Sequence, residues 1–238
     1  MDSVLWIAPA IVLLASCTRG LFGFGDSLVA VPLLMLVVEP TTAVATVALV
    51  SLIQGALMLA RERRDIDWGA SRRLVFAAAL GVPFGLFSLE ALPVEWVKRG
   101  LGLVLVVYAT RSLLGAKLPE VRSPRAASVA GFASGALGAA YNFSGPPVIL
   151  YSAMARWDAA RTRATLQSFF TPLGVIVVSA HLLAGSITPD VLALSARCLP
   201  AMLVGVFAGA ALSRRVDATL FRKVLDGALI ALGAVLWL

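Results

Sequence analysis

Residues 19–32 read RGLFGFGDSLVAVP. From residue 4 to 38 the chain is otherwise almost wholly apolar, so Arg19, Asp26 and the glycines at 20, 23 and 25 interrupt what would be one long hydrophobic segment. A charged side chain at the centre of a membrane helix costs about 2.5–3.5 kcal/mol on insertion scales, and ionisable residues at such depth mark functional sites by default. Glycine adds freedom to leave the helical region of the backbone. The stretch therefore predicts a break in a hydrophobic helix, with polar groups gathered at the break.

The rest of the composition agrees with a bilayer setting. The 238 residues are 60% hydrophobic and 14% charged, with a mean hydropathy of +0.92; a soluble domain carries roughly 25% charged residues. Apolar blocks recur at close to the ~20 residues that span a hydrocarbon core. The net charge of +7 sits in short clusters between these blocks, with no nucleic-acid-binding motif beside them, so it orients a membrane protein instead of binding nucleic acid. Cys17 and Cys198 are far apart and His181 is the single histidine, which leaves no metal set and no cofactor expected. Nucleotide-binding motifs are absent. The N-terminal MDSVLWIAPAIVLLASC ends in a lipoprotein-like box, but Asp2 and the lack of a basic start argue for mature sequence.

Six blocks are long enough to span: about 41–60, 74–93, 97–115, 164–184, 191–212 and 219–238. Two more, 4–38 and 126–155, are interrupted at GFGD and YNFSGPP. Their C-terminal pieces, about 27–38 and 146–155, would rise only about 15–18 Å as helices, half a bilayer core. If the second interrupted block re-enters its own side, loops 61–73, 111–125, 156–163 and 213–223 share one face and carry 16 of the 20 Lys and Arg residues. The positive-inside rule prefers this hairpin, and both termini then face outward.

A self-comparison aligns the two interruptions. At an offset of 115, Gly20, Gly23 and Pro32 fall on Gly135, Gly138 and Pro147; after a four-residue insertion, Ala45, Thr46 and Gly55 meet Ala164, Thr165 and Gly174. Gly85 and Phe87 then meet Gly205 and Phe207, and Lys98 and Gly102 meet Lys223 and Gly227. The expected fold is an all-α polytopic membrane protein forming one transmembrane domain over 1–238. It has two inverted-topology repeats (about 4–118 and 124–238), each a re-entrant broken-helix hairpin plus three transmembrane helices. Paired, Gly/Pro-interrupted segments in inverted repeats are a signature of secondary transporters.

The chain resembles the TauE/SafE family of sulfite exporters. The resemblance rests on GLFGFGDSLVAVPLLMLV and AVATVALVSLIQG in the first half, and on GFASGALGAAYNFSGPPVILY and TRATLQSFFTPLG in the second. It implies a permease in a bacterial inner membrane, not an enzyme, that moves a small sulfur-containing anion such as sulfite, an organosulfonate or sulfoacetate. Family members usually carry a glycine-rich run through the first break, whereas this chain has Asp26 there. A fixed negative charge repels an anion, so Asp26 is expected to be protonated or to serve as a proton or cation site.

Helix N-termini bind anions without basic side chains. The second half-helices are expected to begin near Gly25–Ser27 and Ser144–Pro147, with Ser144 as N-cap and Pro146 in the first turn. The expected substrate cradle comprises Gly23, Gly25, Asp26, Ser27, Asn142, Ser144 and Gly145, and the alternative is a pair of tight turns that only cap helices. Thr46, Ser51 and Gln54 on one helix, and Thr165, Gln167 and Ser168 on another, either line the pathway or bond helix to helix. Arg19 either snorkels outward or pairs with Asp26. The expected partners are the lipid bilayer, an anionic substrate and a coupling proton or cation. The rival readings are a membrane-embedded enzyme and a non-transporting scaffold subunit.

Overall fold

The first hydrophobic segment stops being a helix at Gly23, whose φ of 87° lies in the left-handed region. Its N–H still closes on the Arg19 carbonyl at 2.7 Å, which ends the helix in the usual glycine manner. Two residues later Gly25, at φ 97°, is the N-cap of a second, short helix. The computed structural model describes residues 2–88, 94–115, 120–121, 123–141, 144–215 and 217–235. Among these it contains ten α-helices and no strand: α1 (Asp2–Phe22), α2 (Asp26–Leu34), α3 (Pro40–Glu62), α4 (Trp68–Ser88), α5 (Val94–Leu113), α6 (Pro124–Tyr141), α7 (Gly145–Met154), α8 (Ala159–Leu183), α9 (Pro189–Ser213) and α10 (Ala218–Val235).

The caps are written in the sequence. Pro40, Pro146 and Pro189 sit in first turns, where the missing N–H leaves no gap. The Thr188 hydroxyl accepts from the Val191 N–H and the Asp217 carboxylate from the Leu220 N–H, which caps α9 and α10. Among the described residues α8, α9 and α3 with its following turn are long and apolar enough to cross a membrane. Trp6, Phe76 and Leu183 are exposed, as befits side chains whose solvent is lipid. The helix α4 begins six residues before its apolar block, because Arg72 and Arg73 occupy its second turn without ending it.

Two compact units form, one from Met1–Asp67 with Ala160–Arg215 and one from Trp68–Ala159 with Val216–Leu238. In the first, α1 lies along α9, and α2 packs on α1 and α3. Ala8, Val12 and Ala15 of α1 meet Ala30 and Leu34 of α2, Val47 and Val50 of α3, and Cys198 and Met202 of α9 in one core. Small residues let these backbones touch: a Cβ on Gly205 would stand 2.4 Å from the Leu13 carbonyl oxygen, and one on Gly209 2.1 Å from that of Cys17. In the second unit α4 lies along α6 in the same manner, with Gly81, Gly85, Gly131 and Gly135 at the contact. There α7 folds back on α6, and the Val121 N–H donates to the Met154 carbonyl at 3.1 Å. The chain thus leaves α7 beside the point at which it entered α6.

The long–short–long pattern occurs twice. Phe22 and Tyr141 end α1 and α6, Asp26 and Gly145 begin α2 and α7, and Pro40 and Ala159 begin α3 and α8. The differences 141−22, 145−26 and 159−40 are all 119. The glycine match at 115 is therefore one helical turn out of step with these elements, and no insertion is needed between the break and the helix that follows it. Residues four apart share a helix face, so glycines at either register serve the same packing surface.

Candidate functional site

At the first break the end of α1, the start of α2 and the middle turns of α3 and α8 meet around one guanidinium. Arg19 is in the last turn of α1 and is 4% exposed; Asp26 is the first residue of α2 and is 7% exposed. Arg19 Nη1 donates to Asp26 Oδ2 at 2.7 Å and to the Ser51 carbonyl at 3.2 Å. Its Nε and Nη2 both donate to Gln167 Oε1, at 3.1 and 2.8 Å. The Ser51 hydroxyl donates to the same Asp26 oxygen, and Gln167 Nε2 donates to the Gly23 carbonyl at 2.6 Å. The Phe170 ring lies 6.0 Å from the guanidinium carbon. A buried ion pair is tolerable only when its remaining donors are also met, and Gln167 and the Ser51 carbonyl take three of the four N–H groups that Asp26 leaves.

Two glycines make this geometry possible. A Cβ on Gly23 would stand 2.8 Å from the Arg163 Cα, so α8 could not come close enough for Gln167 to reach the break. A Cβ on Gly55 would stand 2.9 Å from both Arg19 Nη2 and Thr171 Oγ1. The Thr171 hydroxyl oxygen is buried without a hydrogen-bond partner among the described residues.

Of the residues expected to form a cradle, Gly23, Gly25 and Asp26 come together here, with Ser27 half-buried in the first turn of α2, and Gln167 of the polar series on α8 joins them. Arg19 pairs with Asp26 and does not snorkel. Together with Ser51 it is a site residue that the sequence reading left outside the cradle. Gln54 is one turn away and bonds helix to helix: its Oε1 accepts from the Ser16 hydroxyl at 3.0 Å and its Nε2 donates to the Ser16 carbonyl. The Thr165 hydroxyl accepts from the Asp67 N–H at 3.0 Å, which fastens the α3–α4 connection. The Thr46 hydroxyl is fully buried without a partner among the described residues.

In the second unit Ser144 is the N-cap residue of α7, but its side chain makes no capping hydrogen bond. Gly145 opens the helix, and Gly138 leaves room for the Ser144 side chain, whose Cβ would stand 3.0 Å from a Cβ placed there. Asn142 lies outside the described residues. This unit also holds a buried acid that sequence reading missed: Asp226 of α10 accepts from the Ser112 hydroxyl of α5 at 2.6 Å. Its place in an amphipathic final helix gave no sign of burial.

At the 119-residue spacing Arg19 corresponds to Gly138 and Asp26 to Gly145. Both members of the pair are present at one break and both are glycine at the other. No curated protein and no solved structure matches the chain significantly. Residues 8–236 match the family model for the sulfite exporter TauE/SafE, and with that extent of the 238 residues covered the chain belongs to the TauE/SafE family of membrane exporters.

Proposed function

We propose that this chain is a secondary permease of a bacterial inner membrane that moves a small sulfur-containing anion, sulfite, an organosulfonate or sulfoacetate, by alternating access at its broken helices. The observation that carries this reading is the Arg19 guanidinium, held by Gln167 and Ser51 at the N-terminus of α2. A fixed cation beside free helical N–H groups is an anion site, and only at a break can both be presented inside a membrane. Asp26 does not leave this site negative, because Arg19 neutralises it.

The repeated long–short–long pattern supports two halves of like design. The Val121–Met154 bond supports a hairpin in the second half. With a hairpin each half crosses three times, and an odd number of crossings inverts the second half relative to the first. Such inverted halves supply the two-state rocking that alternating access needs. The driving force is an ion gradient or the gradient of the substrate itself.

Reconstitution tests the reading. Liposomes containing the protein should take up labelled sulfite, methanesulfonate or sulfoacetate faster than protein-free liposomes, and Arg19→Gln should reduce uptake at least tenfold. Equal flux with and without protein, for every sulfur anion and under every gradient, would sink the permease reading.

A further inference from the structure

The geometry points to Asp26 as a built-in competitor for the anion site: its carboxylate occupies the place that a substrate oxyanion takes, and it yields that place by accepting a proton. This rests on the permease reading and adds the coupling step to it. Three observations carry it. Asp26 Oδ2 takes one Arg19 Nη1 donor and the Ser51 hydroxyl, a donor set that suits any oxyanion. The guanidinium does not depend on Asp26 for its position, because Nε and Nη2 are held by Gln167 and Nη1 also by the Ser51 carbonyl. Gln167 is itself anchored on the Gly23 carbonyl. If Asp26 is removed, a preorganised cation remains with an open donor, next to a hydroxyl and the first turn of α2.

The surroundings leave few places for charge to go. From α1 Asp26 faces Arg19. From α3 it faces the Ser51 hydroxyl and carbonyl, and no charged residue lies between Pro40 and Met58 on that helix. From α8 it faces neutral Gln167, and the next charge along, Arg163 beside Gly23, is paired with Glu62 at 3.4 Å. An anion that takes the guanidinium would leave an ionised Asp26 buried beside a second negative charge. Like charges at one site drive one of them to bind a proton. The exchange balances: one monoanion enters, one proton forms an O–H bond on the Asp26 carboxylate, and the charge of the site is unchanged. Anion and proton then cross together. The loss of both Arg19 and Asp26 equivalents at the other break, where glycines stand, fits a pair that works as a unit.

Calorimetric titration of detergent-solubilised protein tests this, with methanesulfonate and nitrate as probes because neither titrates between pH 6 and 8. Repeating each titration in buffers of different ionisation enthalpy counts the protons taken up. Wild type should take up close to one proton per anion and bind about tenfold more weakly for each pH unit gained. Asp26→Asn should take up none, bind equally at pH 6 and 8, and bind at least tenfold tighter than wild type at pH 8. Binding without proton uptake by wild type would overturn the exchange while leaving the permease reading intact, and that measurement needs no variant. Proton uptake retained in Asp26→Asn would overturn it as well. If nitrate binds with one proton and methanesulfonate does not bind, the exchange stands and a simple sulfonate falls as the substrate. If neither probe binds wild type or variant, the exchange falls, and the liposome flux of sulfite and sulfoacetate decides the permease reading separately.

Discussion

Arg19 and Asp26 are seven residues apart, about 10 Å along a continuous helix, which is too far for an ion pair. They meet because the left-handed glycines at 23 and 25 fold the second helix back across the end of the first. The glycines made the break legible in the sequence, but nothing local gave its angle. Gln167 stood out as a polar residue in an apolar helix, but nothing in the sequence said that it would complete the cluster around Arg19 from 148 residues away. The energetics of the pair are asymmetric. Arg19→Leu leaves Asp26 as an uncompensated buried charge and should cost about 3–5 kcal/mol. Asp26→Asn should cost less, since the guanidinium keeps three of its hydrogen bonds. The double variant should regain part of the Arg19→Leu loss in thermal unfolding in detergent; simple addition of the two single losses would mean that the pair is not coupled. Gly55→Ala probes the same cluster without touching charge. Its methyl would press on Arg19 Nη2 and Thr171 Oγ1, and overpacking of this kind costs about 1–3 kcal/mol. Uptake in liposomes should fall with it, and unchanged uptake would show that the guanidinium has room to move.

Helices in lipid gain little from burying apolar surface against one another, so close backbone approach and dispersion hold them. The two long contacts, α1 on α9 and α4 on α6, follow that rule. Gly81/Gly85 and Gly205/Gly209 stand four residues apart, the spacing that suits close helix packing, and each pair sits against a neighbouring backbone. Sequence could not say which helix each pair would meet, because a small-residue stripe fits any other. Gly209→Ala would put a Cβ 2.1 Å from the Cys17 carbonyl oxygen, and Gly135→Ala one 2.1 Å from that of Ala78. Backbone cannot yield as a side-chain tip does, so each should lower stability by about 1–3 kcal/mol. Gly227, on α10, has nothing within 4 Å of its would-be Cβ. Gly227→Ala should raise stability by about 0.5–1 kcal/mol through helix propensity alone. Thermal unfolding of the three variants separates the two effects; an equal loss in all three would mean that helix contacts, not propensity, decide at Gly227 as well.

At the scale of the molecule the open step is sidedness, which follows from whether each interrupted block crosses or returns. Charge distribution favoured return, because it gathers 16 of the 20 basic residues on one face. The Val121–Met154 hydrogen bond supplies an independent reason, since a block that crossed would separate its two ends by about the 30 Å of the core. Among the described residues the first block shows no matching bond between its ends, but α2 is only nine residues long, about 14 Å of rise. Its Ala30 and Leu34 pack in one core with Ala8, Val12 and Ala15 of α1, as a returning segment should. In the proposed topology, hairpins at both breaks assign every connection a side. Single cysteines at Arg64, Glu120, Asp158 and Arg215, in a background with Cys17 and Cys198 replaced by alanine, should react with an impermeant maleimide only from the cytoplasmic face. Cysteines at Glu39 and Ser186 should react from the other. Labelling of Glu120→Cys and Asp158→Cys from opposite faces would overturn the second hairpin, and with it the inverted second half on which the proposed alternating access rests.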